Sequence, residues 1–241
     1  MRRFIVALLL APPAVHAASG DIQLDRANVD SADVVSIQRG AQVFVNYCLN
    51  CHSATAMRYN RLIDLGLTER QIKDNLLFTG EKVGDPMYIA ASRKDQREWF
   101  GVEPPDLSVI ARSRGVDWLY TYMRSFYRDP ARVTGWNNLA FANVGMPHVL
   151  WQLQGTQVLK SEVEEHGGYK VEHKKLVLES PGTLSRLEYD QLARDLVNYL
   201  SYMGEPAKTR RVQIGIIVLF FLSLLLVLSW LLKTEYWKDV H

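Results

Sequence analysis

Both cysteines of this chain lie in one pentapeptide, Cys48-Leu49-Asn50-Cys51-His52, and this spacing constrains the fold more than any other feature. Thiols three residues apart lie on one side of a helical turn, so both can bond covalently to one edge of a porphyrin. His52 is then placed under the iron as a nitrogen ligand. The motif therefore predicts a domain folded around one covalent haem c.

Two other chemistries use paired cysteines. A structural zinc site needs four ligands, and the sequence has no second cysteine pair. A thioredoxin-type redox pair accounts for the two thiols but leaves the following histidine without a role. Haem attachment uses all three side chains and is therefore favoured.

Residues 1–17 have the pattern of a cleaved secretory signal. Arg2 and Arg3 form its positive start, and a short apolar run follows. Val15-His16-Ala17 then ends the segment in a small residue, as a signal cleavage site does. The apolar run is too short to span a bilayer. An uncleaved N-terminal anchor is the alternative interpretation.

A second apolar segment, residues 212–232, predicts a transmembrane helix. It carries no charge, and about 20 helical residues at 1.5 Å each cross a hydrocarbon core about 30 Å thick. Basic residues flank both ends, so charge alone does not orient the span. The exported N-terminus orients the span, so the chain is predicted to be a single-pass protein of the inner membrane. Residues 18–211 are expected in the periplasm and the tail, residues 233–241, in the cytoplasm.

Residues 18–211 are enough for one domain. They contain 24 acidic and 24 basic side chains, hence a formal net charge of zero. This balance argues against nucleic acid as a partner. Because the haem uses both cysteines, no disulfide is expected even in an oxidising compartment.

The apolar periodicity of the domain predicts helices at both of its ends. One is expected over Ser36–Tyr47 and leads into the haem motif, with Gly40 permitting a close helix crossing. The other is expected over Ser185–Met203, opened by a capping box of Ser185 and Glu188.

A β-hairpin is expected between these helices. Residues 157–165 and 169–179 are β-prone runs around His166-Gly167-Gly168. We interpret the hairpin as a surface excursion.

An iron held by one histidine needs a ligand on its other face. The candidates are Met57, Met87, Met123, Met146, Met203 and His148. Met146 lies in a loop that glycine and proline make irregular and rigid, which suits a flexible thioether. Met57 lies too close to His52 to cross to the opposite face, and the remaining methionines have core or loop explanations. Met146 is therefore favoured and His148 is the alternative. A Met/His pair raises the reduction potential and closes the iron, which favours electron transfer.

Haem propionates need cationic or hydrogen-bonding partners. Arg112 and Arg114 closely follow the run Glu103-Pro104-Pro105-Asp106-Leu107-Ser108 and are candidates for this role. Pro105 is expected to line the haem edge. A solvated surface charge is the alternative interpretation for each arginine.

In these residues the chain resembles the cytochrome c1 family, the haem-bearing subunits of bacterial cytochrome bc1 complexes. The resemblance rests on Arg39-Gly40, the haem motif with Ser53, the run from Pro104 to Arg114, Gly145-Met146-Pro147 and a lone C-terminal anchor. The resemblance, together with the hairpin and span read from the sequence pattern, implies a mainly α fold class: a class I cytochrome c-like haem domain with a β-hairpin excursion and one C-terminal transmembrane helix.

The resemblance also implies site residues and partners. Cys48 and Cys51 would be thioether sites, His52 and Met146 the axial ligands, and Arg114 a propionate support. In the family role, a Rieske iron–sulfur protein oxidises quinol at cytochrome b and reduces this haem, which then reduces a soluble or tethered periplasmic cytochrome c. The anchor would pack beside cytochrome b among membrane lipid, in a dimeric complex.

Three alternative functions stay open on the sequence. The chain could be an anchored cytochrome c that donates electrons to a terminal oxidase, although the run from Pro104 to Ser108 argues against it. A haem-based sensor or peroxidase would keep its iron open. A structural subunit would carry its haem without using it.

Overall fold

The structure is a computed structural model that describes residues 22–166 and 169–238. About half of the described chain is helical and the sheets are small, which confirms the predicted mainly α class. The expected signal, residues 1–17, lies outside the described residues, as do Gly167-Gly168 at the hairpin tip and the last three residues of the tail.

Within the described ranges, the chain forms eight α-helices and three two-stranded antiparallel sheets. The helices are α1 Val34–Val43, α2 Glu69–Asn75, α3 Arg93–Phe100, α4 Ile110–Arg114, α5 Val116–Arg124, α6 Trp151–Gln154, α7 Arg186–Gly204 and α8 Lys208–Tyr236. The strands are β1 Ala54–Arg58, β2 Pro86–Met87, β3 Phe126–Arg128, β4 Trp136–Asn138, β5 Gly155–His166 and β6 Tyr169–Pro181. A π-helix over Phe44–Cys48 and a 3₁₀-helix over Tyr59–Leu65 complete the list.

Helix α1 begins earlier than predicted and ends differently. The Asp33 side chain accepts a hydrogen bond from the Ser36 amide, so it caps a helix that begins at Val34. After Val43 the backbone widens into the π-helix Phe44–Cys48. The predicted helix over Ser36–Tyr47 is therefore two helical segments, and the second ends on the first cysteine.

Gly40 lies where α1 crosses α7, as predicted. A Cβ at this position would overlap the carbonyl oxygen of Asp195 and lie 2.7 Å from the Cβ of Tyr199. The carboxylate of Asp195 is buried beneath the crossing, where Arg39 donates to it at 2.6 Å and Ser36 at 2.6 Å. Packing and an ion pair to a buried carboxylate thus join the two ends of the domain.

The C-terminal domain helix and the hairpin match their predictions closely. Ser185 caps α7, and its capping box with Glu188 is present. The hairpin strands pair from Gly155 opposite Pro181 to His166 opposite Tyr169, longer than predicted at both ends. At the base, the Gln157 side chain donates to the carbonyls of Arg124 and Phe126, which ties the hairpin to β3 and the end of α5.

Helix α8 contains the predicted span. It extends the expected residues 212–232 by four residues at each end. Of the helices the structure describes, this one is long and apolar enough to cross a membrane, and none of its apolar window is buried against the domain. Its side chains are therefore available to lipid or to another membrane protein.

Candidate haem site

The haem motif follows directly from the π-helix. The amide nitrogens of Cys51 and His52 both donate to the Cys48 carbonyl, at 3.0 and 2.8 Å, so the motif closes into a single turn. Cys48 is buried and Cys51 is half-buried. Burial, with a smaller contribution from Cys51, raises the pKa of Cys48 to about 12. A π-helix is rare and occurs mostly at functional sites.

His52 is oriented by a residue far away in the sequence. Its Nδ1 lies 2.7 Å from the carbonyl oxygen of Pro105. A carbonyl only accepts, so Nδ1 carries the hydrogen and Nε2 keeps its lone pair for a metal. Burial lowers the pKa of His52, against the opposing effects of the Pro105 carbonyl and of Asp106, which favours the neutral ring. Pro105 thus contributes its carbonyl, a role that the sequence did not predict.

The segment after Pro105 is fastened to the chain just after the haem motif. The Asp106 carboxylate accepts from the amide nitrogens of Thr55, at 2.9 Å, and Ser108, at 2.8 Å. The Ser108 hydroxyl accepts from the Ala56 amide at 3.0 Å. Burial would raise the pKa of Asp106, but these hydrogen bonds outweigh it and hold the pKa below its usual range. The segment therefore fixes the carbonyl that orients the motif histidine.

The loop that carries Met146 is held by polar side chains on its N-terminal side. Arg132 donates to the side-chain oxygen of Asn143 at 3.1 Å and to its carbonyl at 3.0 Å. The Asn143 amide donates to Asn137 at 2.8 Å. Asn143 itself adopts a left-handed backbone with φ 62°, a conformation that asparagine tolerates better than most residues. The loop is therefore positioned from two sides.

The Met146 loop and the segment that orients His52 meet at Val102. A Cβ at Gly145, next to Met146, would lie 3.3 Å from Cγ1 of Val102, three residues before Pro105. This contact connects the Met146 loop to the segment that carries Pro105.

The candidate sixth ligands differ in burial. Met146 is partly exposed, whereas the other candidates lie sealed in the core: Met57, Met87, Met123, Met203 and His148. The His148 ring stacks on Phe126 at 4.8 Å and meets Trp136 edge-on at 5.1 Å. Burial lowers its pKa to about 4, and Gln154 beside the ring opposes this only in part. To reach a metal, His148 would have to leave this packing.

The two predicted arginines lie in different surroundings. The guanidinium of Arg114 is 5.1 Å from the ring centroid of Trp118. Trp118 stacks on Tyr122 at 5.0 Å, and the Tyr122 hydroxyl lies 3.3 Å from the Met146 sulfur. Arg112 instead lies against Gly204 at the end of α7, where its Cγ would be 3.3 Å from an added Cβ. The structure therefore connects Arg114 with the aromatic residues beside the methionine loop, and Arg112 with the end of α7.

Sequence reasoning missed the aromatic wall of this site, Trp118 and Tyr122. The aromatic density of Trp118-Leu119-Tyr120-Thr121-Tyr122 was the available signal. Tyr122 is buried, and burial raises its pKa, so its hydroxyl keeps its proton.

These residues fit a covalent haem c. Cys48 and Cys51 are unpaired thiols on one turn, the tautomer of His52 leaves the lone pair of Nε2 for a metal, and Met146 is only partly buried. The sequence model of the Cytochrome C1 family matches residues 26–98 and 82–240 of the chain. The chain belongs to the cytochrome c1 family.

The chain is also similar over most of its length to individual proteins, two of which carry the name of this family. The chain is 49% identical over 244 residues to a protein named cytochrome c1 from Allochromatium vinosum, with both chains fully covered. It is 50% identical over 237 residues, 98% of this chain and 97% of the other, to a Nitrosomonas europaea protein named ammonia monooxygenase gamma subunit. A mitochondrial cytochrome c1 haem protein of Schizosaccharomyces pombe is 26% identical over 230 residues, 86% of this chain and 68% of that one.

Membership of the cytochrome c1 family confirms the predicted cofactor and role. Proteins of this family carry one covalent haem c, are anchored in a membrane and serve electron transport in the cytochrome bc1 complex. The chain is thus an electron-transfer subunit of that complex, and the alternatives of an oxidase donor, a sensor or a peroxidase are not favoured.

Proposed function

We propose that this chain accepts one electron at a time from the Rieske iron–sulfur protein and passes it to a soluble or tethered cytochrome c in the periplasm. The observation that carries the proposal is the Cys48–His52 turn, with its histidine oriented by the Pro105 carbonyl, within a chain of the cytochrome c1 family. The bound haem supplies the chemistry by cycling between its ferric and ferrous states.

Cys48 and Cys51 would hold the cofactor covalently, and His52 and Met146 would be the axial ligands. The hydrogen bond from Nδ1 to the Pro105 carbonyl supports His52, because it fixes the tautomer that leaves Nε2 free. Burial of the competing methionines and of His148 supports Met146. Two axial side chains would leave no open position for oxygen or peroxide.

Arg114 would support a haem propionate. Its contact with Trp118 turns the guanidinium toward the aromatic wall that ends at the Met146 sulfur. Arg112, which lies against Gly204, would instead stabilise the junction between the domain and the membrane helix. Pro105 would both line the haem edge and orient His52.

The proposed topology has residues 1–17 removed after export, residues 18–211 in the periplasm, residues 212–232 across the inner membrane and residues 233–241 in the cytoplasm. The exposed apolar surface of α8 supports packing beside cytochrome b and against lipid, within a dimeric complex. The domain itself makes and breaks no bond. It holds its cofactor at the membrane surface, between an electron donor and an electron acceptor.

The first experiment is purification of the chain from detergent-solubilised membranes through a C-terminal tag. We expect b-type haem in fixed ratio with c-type haem, an iron–sulfur protein, and inhibitor-sensitive reduction of cytochrome c by quinol. A c-type haem alone, or copurification with copper and an oxygen-consuming activity, would contradict the proposal.

A protease experiment on intact spheroplasts tests the topology. We expect external protease to remove the haem domain and to leave a tag after residue 241 protected. Digestion of the tag, with the haem domain intact, would reverse the proposed orientation.

A further inference from the structure

The Tyr122 hydroxyl donates a hydrogen bond to the sulfur of Met146, at 3.3 Å. A thioether sulfur is a weak acceptor, and a buried tyrosine hydroxyl usually finds a partner. Among the described residues, the Met146 sulfur is the hydrogen-bond partner of the Tyr122 hydroxyl. The donor is therefore directed at a specific soft atom.

The ring of Tyr122 is fixed on several sides. It stacks on Trp118 at 5.0 Å and meets Phe126 edge-on at 5.0 Å. The Tyr122 carbonyl accepts from the Asn138 side chain at 2.8 Å, which also holds the backbone. Because the ring cannot swing away without breaking these contacts, the position of the Tyr122 hydroxyl is fixed by the helix and strand around it.

The sulfur has two lone pairs, and a hydrogen bond to one of them has two consequences. It selects which lone pair can face a metal, so it sets the orientation of the methionine. It also withdraws electron density from the sulfur, which weakens donation to an electron-poor metal more than to an electron-rich one.

We propose that Tyr122 is a positioning residue that directs the Met146 sulfur at the haem iron and favours the reduced state. This inference rests on the proposed ligation by Met146. It adds to the proposed ligand a second residue, Tyr122, that sets the orientation and donor strength of that ligand.

The chain provides a matched control. The Tyr199 hydroxyl donates to the sulfur of Met87 at 3.4 Å, in the buried core. Tyr122→Phe and Tyr199→Phe thus remove the same kind of O–H···S hydrogen bond and keep the ring. If Met87 rather than Met146 were the ligand, the two variants would exchange their effects.

The experiment is a redox titration of both variants and of the parent chain, as full-length holoprotein in detergent. We expect Tyr122→Phe to shift the equilibrium between the reduced and oxidised forms about three- to tenfold toward the oxidised form, the range of one hydrogen bond. At 59 mV per decade for one electron, this lowers the reduction potential by about 30–60 mV. Tyr199→Phe should shift the equilibrium less than twofold.

A spectrum of the oxidised protein separates this inference from the proposed ligation. The sulfur-to-iron charge-transfer band should persist in Tyr122→Phe with an altered position or intensity, and disappear in Met146→Leu. An unchanged potential and band in Tyr122→Phe, with the band lost in Met146→Leu, would overturn the role of Tyr122 alone. A band that survives Met146→Leu would overturn the ligation itself.

Discussion

Gly40 of α1 packs directly on the backbone of Asp195 in α7, with room for a hydrogen but not for a methyl group. The crossing joins the segment that leads into the haem motif to the helix that leads to the membrane. The ion pair of Arg39 with the buried Asp195 carboxylate lies at the same place. This contact therefore connects the helix that leads to the anchor with the helix that leads to the haem-binding turn.

We expect Gly40→Ala to destabilise the domain by about 1–3 kcal/mol or more, because the neighbouring atoms are backbone and cannot turn aside. Thermal unfolding of the full-length holoprotein measures this loss. Gly84→Ala is the matched control, since an added Cβ there has nothing within 4 Å. Equal stability of the two variants would show that α1 and α7 separate at little cost.

Asn143 provides a second test, on the loop that carries Met146. We expect Asn143→Ala to lower the free energy of unfolding by about 1–2 kcal/mol, because alanine is disfavoured at φ 62° and the Arg132 side chain loses an acceptor. Asn143→Gly keeps the backbone conformation and removes only the acceptor, so it should cost less. The difference in unfolding temperature between the two variants isolates the backbone contribution. A larger loss of stability in Asn143→Gly than in Asn143→Ala would contradict the prediction.

Arg112 and Arg114 differ by two positions but should differ in their effect on the reduction potential. Arg114→Gln removes a positive charge beside the Trp118 and Met146 side of the site, so the oxidised form should gain about 1 kcal/mol relative to the reduced form. Arg112→Gln removes a charge at the end of α7 and should leave the potential nearly unchanged. Redox titration of both variants decides, and equal shifts would mean that both guanidinium groups reach the cofactor.

Local patterns in the sequence predicted those parts of the fold that depend on neighbouring residues. The Cys48–His52 turn and the capping box at Ser185 each require only a few consecutive residues. Periodicity then located α7 within one residue. The close crossing at Gly40 was predictable as well, since glycine inside a helix costs stability unless packing requires it.

The parts that the sequence did not predict depend on contacts between distant residues. The pairing of His52 with Pro105 spans 53 positions. No hydrophobic period encodes the π-helix that ends at Cys48. The separate surroundings of Arg112 and Arg114 depend on what packs against each side of a helix only five residues long.

The contribution of the Asp106 carboxylate to folding stability should depend on pH. Its folded pKa is below its ordinary value because the amides of Thr55 and Ser108 hydrogen-bond the carboxylate, although burial acts in the opposite direction. The unfolded chain therefore binds this proton more readily than the folded one. The resulting stability is fully present above about pH 4, the ordinary range of an aspartate, and is lost as the pH falls through the folded pKa.

We expect Asp106→Asn to be about 1 kcal/mol less stable than the parent chain at neutral pH, because an amide nitrogen cannot accept the second hydrogen bond. The gap between the two chains should narrow below pH 4, where the parent carboxylate also gains a proton. Unfolding of both holoproteins from pH 7 to pH 3 measures it, with the exposed Asp74→Asn as control. A gap that stays constant with pH would show that the Asp106 charge does not hold the Pro105 segment against the haem motif.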